Sequence, residues 1–195
     1  MGCQRLLVDL ARKSAYPPIA LRRMASEVRS SGHIIVLTGI PSAGKTTVAH
    51  VIRSLRPAFN IVHGDLDLRG MAPVALRLQD AHGLFLRMLS NVVTKAESGN
   101  VILEGSLPAT YVEEARGGLG SDGLFVSLRV SRREWQRREM TRDDREAVQW
   151  NERLTALQGS PDLYDLTLDT SELAPNECAD AVLAKAREQW NWAEP

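Results

Sequence analysis

The sequence predicts an α/β fold in three layers, a five-stranded parallel sheet with helices on both faces. Three observations predict it. Apolar runs suited to buried strands recur at 34–38, 60–63, 100–104, 124–130 and 164–169, each closing at a Gly, Asp or Ser where a loop can begin. Segments of helical spacing lie between them, and strands alternating with helices imply a parallel sheet covered on both sides. The third is the stretch Gly39-Ile40-Pro41-Ser42-Ala43-Gly44-Lys45-Thr46, which fits G-x-x-x-x-G-K-[ST] at every fixed position, between the first strand and a helix.

That pattern is a phosphate-binding loop, and it makes the fold a P-loop NTPase variety. Glycines let the backbone curl so that successive N–H groups face phosphate oxygens. The helix that follows, starting near Thr47 and running to Leu55, adds its positive end. Lys45 would reach the β- and γ-phosphates, and the Thr46 hydroxyl would ligate Mg²⁺. Gly39, Ile40, Pro41, Ser42, Ala43, Gly44, Lys45, Thr46 and Thr47 are the expected nucleotide-binding residues.

Residues 1–31 precede this pattern. Leu6, Leu7, Leu10 and Ala11 suit a short helix, Tyr16-Pro17-Pro18 interrupts it, and Ile19 to Val28 suits a second. Ser30-Ser31-Gly32 is a break, so 1–31 is expected to be a helical extension and 32–195 the P-loop domain. The longest helical segment is Ala72 to Ser98, where Leu76, Leu84, Met88, Leu89, Val92 and Val93 recur at helical spacing and Gly83 would bend or split it. Tyr111 to Ala115 predicts a short helix, Arg132 to Leu157 a long charged one, and Pro175 to Trp190 the last, with Ala179, Val182, Leu183 and Ala186 inward. Gly118-Leu119-Gly120-Ser121-Asp122-Gly123 spells a dinucleotide fingerprint, but it leads into a strand instead of opening a helix and reads as a turn.

Composition narrows the function classes. A chain of 195 residues with 44% hydrophobic content suits one domain with one proper core. Lys and Arg number 24, as do Asp and Glu, so no global basic field calls for nucleic acid as an obligate partner. Cys3 and Cys178 lie far apart and outside any Cys/His cluster, which argues against zinc and a disulfide framework. No apolar run reaches membrane-spanning length, and the N-terminal apolar stretch is short and broken by Asp9, so a cytoplasmic protein is expected.

Parallel α/β sheets place ligands at the carboxyl ends of their strands. After the second strand comes His63-Gly64-Asp65-Leu66-Asp67-Leu68-Arg69. A carboxylate here can take a proton from an attacking hydroxyl or hold Mg²⁺, and Asp65 or Asp67 fits that task. Arg69 suits an acidic group or the transferring phosphate. Glu104, closing the third strand, resembles a Walker B acid and would hold metal through water or bond to substrate. Arg138, Arg142 and Arg145 share one helical face at spacings of four and three, where guanidinium groups can clamp phosphates and close as an Arg-rich lid.

These residues resemble the chloramphenicol phosphotransferase-like group of small P-loop kinases. Beside the loop, Arg137-Arg138-Glu139-Met140-Thr141-Arg142-Asp143-Asp144-Arg145 is similar to that group's R-R-E-x-x-R-G-D-R run, with Asp143 in place of the usual glycine. Tyr164-Asp165-Leu166-Thr167-Leu168-Asp169-Thr170-Ser171, followed by Glu177-Cys178-Ala179, is similar to its closing Y-D-L-x-x-D-T-S…E-E-C-A. The resemblance covers about 33–187 and implies ATP- and Mg²⁺-dependent transfer of a phosphoryl group to a small-molecule hydroxyl, antibiotics among the acceptors. It implies that Asp65, or with a small shift Asp67, is the base; in the leading reading Lys45 and the loop amides hold the phosphates, and Arg138 and Arg142 steady the leaving charge. A nucleoside, nucleotide or polynucleotide kinase is the second reading, although 5% aromatic content offers little for base stacking. An ATP-binding regulatory or switch protein is the third. The acceptor and the oligomeric state stay open.

Overall fold

The computed structural model describes residues 32–64, 81–141 and 160–192. Its strands are β1 (Ile34–Thr38), β2 (Asn60–His63), β3 (Val101–Gly105), β4 (Gly123–Arg129) and β5 (Leu166–Asp169). All pairings are parallel, in the order β2-β3-β1-β4-β5, so β1 is central and its carboxyl end opens in the middle of the sheet edge. The helices are α1 (Lys45–Leu55), α2 (Ala81–Ala96), α3 (Ala109–Leu119), α4 (Arg132–Glu139) and α5 (Pro175–Trp190).

Alternation along the strands divides the core into two layers. Ile35, Leu37, Ile102, Leu124, Val126 and Leu128 face Val48, Ala49 and Ile52 of α1 and Cys178, Ala179, Val182, Leu183 and Ala186 of α5. Ile34, Val36, Val101, Leu103 and Phe125 face Phe85, Met88, Leu89 and Val92 of α2 and Val112, Ala115 and Leu119 of α3. Every residue of β1 and β3 is buried, as strands covered on both faces require. The predicted three-layer fold is what forms.

Boundaries differ where local signals competed. From Ala81 the helix runs unbroken through Gly83, and Leu84, Phe85, Met88, Leu89 and Val92 bury a continuous stripe that outweighs a glycine's cost of about 1 kcal/mol, while the part of the expected helix before Ala81 lies outside the described residues. The short helix expected at 111–115 runs from Ala109 to Leu119, drawn through Gly117 and Gly118 by burial of Val112, Ala115 and Leu119. Gly120, at φ 55, then turns the chain into β4, so the fingerprint-like stretch is a helix end and a turn. The charged helix expected over 132–157 closes at Glu139. There the Arg138 carbonyl accepts from both the Thr141 amide at 3.2 Å and its hydroxyl at 2.7 Å, a local bond that competes with helix continuation. The rest of that segment, like the extension over 1–31 and residues 72–80 of the long helix, lies outside the described residues.

Candidate active site

The chain leaves β1 at Gly39 with φ +154, and a Cβ there would meet the Leu128 carbonyl oxygen of β4 at 2.3 Å. Only glycine lets the loop start this close to the neighbouring strand. Ile40 and Ala43 are buried and pin the loop to the core under α1 and α5, while the Ala43 amide donates to the Ile40 carbonyl at 3.2 Å. Ser42 and Gly44 adopt left-handed conformations, φ 60 and 88. Left-handed residues between right-handed ones make a nest, the backbone form that gathers N–H groups round an anion. Gly44 then caps α1, whose first amides follow.

Lys45 folds back along this loop. Its Nζ donates to the carbonyls of Gly39 and Ile40, each at 3.0 Å, and to Ser106 Oγ at 3.1 Å, with the residue only 6% exposed. Ser106 is brought there by the exit of β3, whose next residue, Leu107, exchanges hydrogen bonds with the Thr38 hydroxyl at 3.2 and 3.4 Å. Thr46 and Thr47 are exposed on the first turn of α1.

Beside the loop lies a second polar pair. Glu104 is the partner of His63 in the β2–β3 register, and His63 Nδ1 lies 2.7 Å from Glu104 Oε1. Facing a carboxylate, Nδ1 carries the proton and donates. Glu104 is 6% exposed and shares the parity of Ile102, so it stands on the α1 side of the sheet. The His50 ring of α1 lies 5.8 Å from that of His63.

The far side of the loop is closed by α4. Ser131 caps this helix, its Oγ accepting from the Glu134 amide at 3.3 Å, and its own amide donates to Ser171 Oγ at 2.6 Å. Arg138 uses its guanidinium four times: to Glu134 Oε1 at 2.8 Å, the Ser42 carbonyl at 3.2 Å, Thr170 Oγ1 at 3.0 Å and the Thr170 carbonyl at 2.5 Å. Hydrogen bonds from Arg137 and Arg138 hold the Glu134 carboxyl down at about 2. Glu139, 7% exposed, accepts from the Ser42 hydroxyl.

The Asp169 carboxylate accepts from the Ser171 amide at 2.8 Å, whereas the α5 start is capped by Glu177, which accepts from the Ala174 amide at 2.7 Å. Asp65, Asp67, Arg69, Arg142 and Arg145 lie outside the described residues. Among the described residues, no cluster of three His, Cys, Asp or Glu side chains could hold a metal ion. Three contacts were not read from the sequence: Ser106 on Lys45, Thr170 on Arg138 and Glu139 on Ser42. Each joins residues at least 32 positions apart, so no local spacing announces them. Their one sequence signal is position just beyond a strand or at the end of the helix that follows one.

The chain is similar to known proteins in structure and in sequence family. Its structure is similar to that of a tunicamycin resistance protein from Deinococcus radiodurans, with TM-score 0.60 and 18% identity over 80% of this chain and 95% of that one. It is similar to the Mycobacterium tuberculosis APS kinase CysC in complex with AMPPNP and APS, with TM-score 0.61 and 18% identity over 80% and 98%. A gluconokinase from Sinorhizobium meliloti 1021 gives TM-score 0.60 and 20% identity over 84% and 97%. No curated protein matches by sequence. At such identities the likeness establishes a shared fold. The family model of chloramphenicol phosphotransferase-like proteins matches residues 32–187, from the start of β1 through most of α5, and the chain belongs to that family.

Proposed function

We propose that this protein is a small-molecule kinase that transfers the γ-phosphoryl group of ATP, with Mg²⁺, to a hydroxyl of its acceptor. The observation that carries this reading is the nest at Gly39–Thr46, set at the carboxyl end of the central strand with Lys45 alongside. Left-handed backbone at Ser42 and Gly44, a helix start and an ammonium group form a donor set that fits a polyphosphate and offers little to a neutral ligand.

In this reading the loop amides and Lys45 hold the β- and γ-phosphates. Thr46, exposed at the start of α1, and Asp65, two residues beyond β2, would hold the magnesium ion, which supplies charge neutralisation when bound. Asp65 takes the proton from the acceptor hydroxyl, with Asp67 able to serve if the loop register shifts. Glu104, oriented by His63, borders the same end of the sheet, and Arg69 binds an acidic group of the acceptor. Arg142 steadies the charge of the transferring group. Arg138, held at the loop by the Ser42 carbonyl, reaches phosphate by exchanging its Glu134 or Thr170 acceptor.

Antibiotic alcohols are the acceptors to screen first. Family membership and the likeness to a tunicamycin resistance protein both support that choice. Sugars and other hydroxy compounds follow. The screen reads ATP consumption and product mass. One phosphorylated product formed by the native chain and lost in Lys45→Ala supports the reading. Asp65→Asn should keep nucleotide binding and slow transfer by about 100-fold or more. Transfer lost only in Asp67→Asn would move the base to Asp67, and nucleotide turnover unaffected by Lys45→Ala would refute the loop's role.

A further inference from the structure

We propose that Glu139 is a positioning residue for the phosphate loop: with Arg138 it holds Ser42 in the left-handed conformation in which the loop receives a triphosphate. The inference rests on the nucleotide reading above and deepens it.

Ser42 carries the argument. At φ 60 it occupies a region that disfavours an L residue about tenfold against glycine. Yet the nest needs a left-handed residue at this point, and the chain supplies serine. Two polar groups of Ser42, its hydroxyl and its carbonyl, are taken by consecutive residues at the end of α4. Its hydroxyl donates to Glu139 Oε1, and its carbonyl accepts from Arg138 Nη1 at 3.2 Å. A residue held at its side chain and its carbonyl has little freedom to rotate between them.

The holding residues are themselves fixed. Arg138 is tied to Glu134 within α4 and to Thr170 at the exit of β5. Glu139 is 7% exposed on a helix whose other residues are exposed or half-buried. A carboxylate withdrawn from water needs hydrogen-bond donors, and the Ser42 hydroxyl is one. The topology explains the meeting. Chain connections leave β1 toward β2 and leave β4 toward β5, so the segments after β1 and β4 border the same crevice. The shape of the loop is therefore coupled to the docking of α4, 97 residues away in sequence.

The test is a double-mutant cycle on the full chain, read as the dissociation constant of AMPPNP with Mg²⁺ by calorimetry. Glu139→Ala should weaken binding about tenfold, the factor set by the left-handed penalty. Ser42→Ala, which keeps the penalty and removes the hydroxyl, should match that loss. Glu139→Gln retains an acceptor and should recover most of the affinity. In a Ser42→Gly background, where glycine adopts the conformation freely, Glu139→Ala should change binding less than about threefold. Equal losses from Glu139→Ala in both backgrounds would overturn the proposal, because Glu139 would then act other than through Ser42. Native affinity in Ser42→Ala would overturn it too, and that variant serves if Glu139→Ala does not fold. Failure of the native chain to bind AMPPNP would overturn the nucleotide reading itself, and the proposal with it.

Discussion

Single residues set the limits of this site. Gly39 is the least replaceable, since an alanine Cβ would sit 2.3 Å from the Leu128 carbonyl oxygen in addition to an unfavourable φ of +154. Gly39→Ala should lower stability by roughly 1–3 kcal/mol or more and abolish nucleotide binding. Thermal melts and AMPPNP titration check this, and an unchanged melt with native affinity would contradict the geometry. The glycines and Lys45 were legible in the sequence because the loop is a local device, eight consecutive residues whose chemistry needs no distant partner. Ser106, Thr170 and Glu139 were not legible, because their partners arrive through strand order. Asp165 shows a further limit. It belongs to the family-like ending Tyr164–Ser171, and the structure gives it a packing task. It accepts from Arg116 Nη1 and Nη2 at 3.0 and 2.5 Å and from the Phe125 amide at 2.8 Å.

At the scale of elements, that carboxylate fastens α3 to β4 and to the entry of β5. The Arg116 guanidinium also lies 5.1 Å from the centre of the Phe125 ring, and the Asp165 amide returns a bond to the Phe125 carbonyl at 2.8 Å. Asp165→Ala leaves a guanidinium and a buried amide without this acceptor. Denaturant unfolding should show a loss of about 1–3 kcal/mol, tempered by the partial exposure of Arg116. Nucleotide affinity should change little, because this fastening is on the opposite face of the sheet from α1. A large affinity loss with unchanged stability would contradict that division. Helix ends were the least legible elements. Where an apolar stripe continued, as in α3, it overrode glycines, and where a side chain offered the backbone another bond, as Thr141 does, the helix stopped.

Over the whole molecule, the five parallel strands and two helical layers were legible because strand and helix periods alternate cleanly from residue 33 onward. The closing of the domain behind the sheet was not. At the end opposite the loop, the His33 ring before β1 stacks on Trp190 at 4.3 Å and lies 5.4 Å from Trp192, which in turn meets Phe59 at 5.7 Å. This joins the last turn of α5 to the start of the sheet. Burial holds the His33 pKa below its ordinary 6.5, the Asp122 charge opposing in part. The fold therefore favours the neutral ring. The stabilisation is present above the unfolded value near 6.5 and is lost as pH falls below it. Proton NMR of His33 should give a midpoint below 6.5, and His33→Phe should lose less stability between pH 7.5 and 5.5 than the native chain. A midpoint at or above 6.5 would contradict this account of the stack.

The central claim is that the chain from Gly39 to Thr46 grips a triphosphate at the carboxyl end of the middle strand. A crystal structure with AMPPNP and Mg²⁺ tests it most directly. The account predicts the β- and γ-phosphates within hydrogen-bond distance of the loop amides and of Lys45 Nζ. A nucleotide bound elsewhere on the protein, with the loop amides making no phosphate contact, would contradict it.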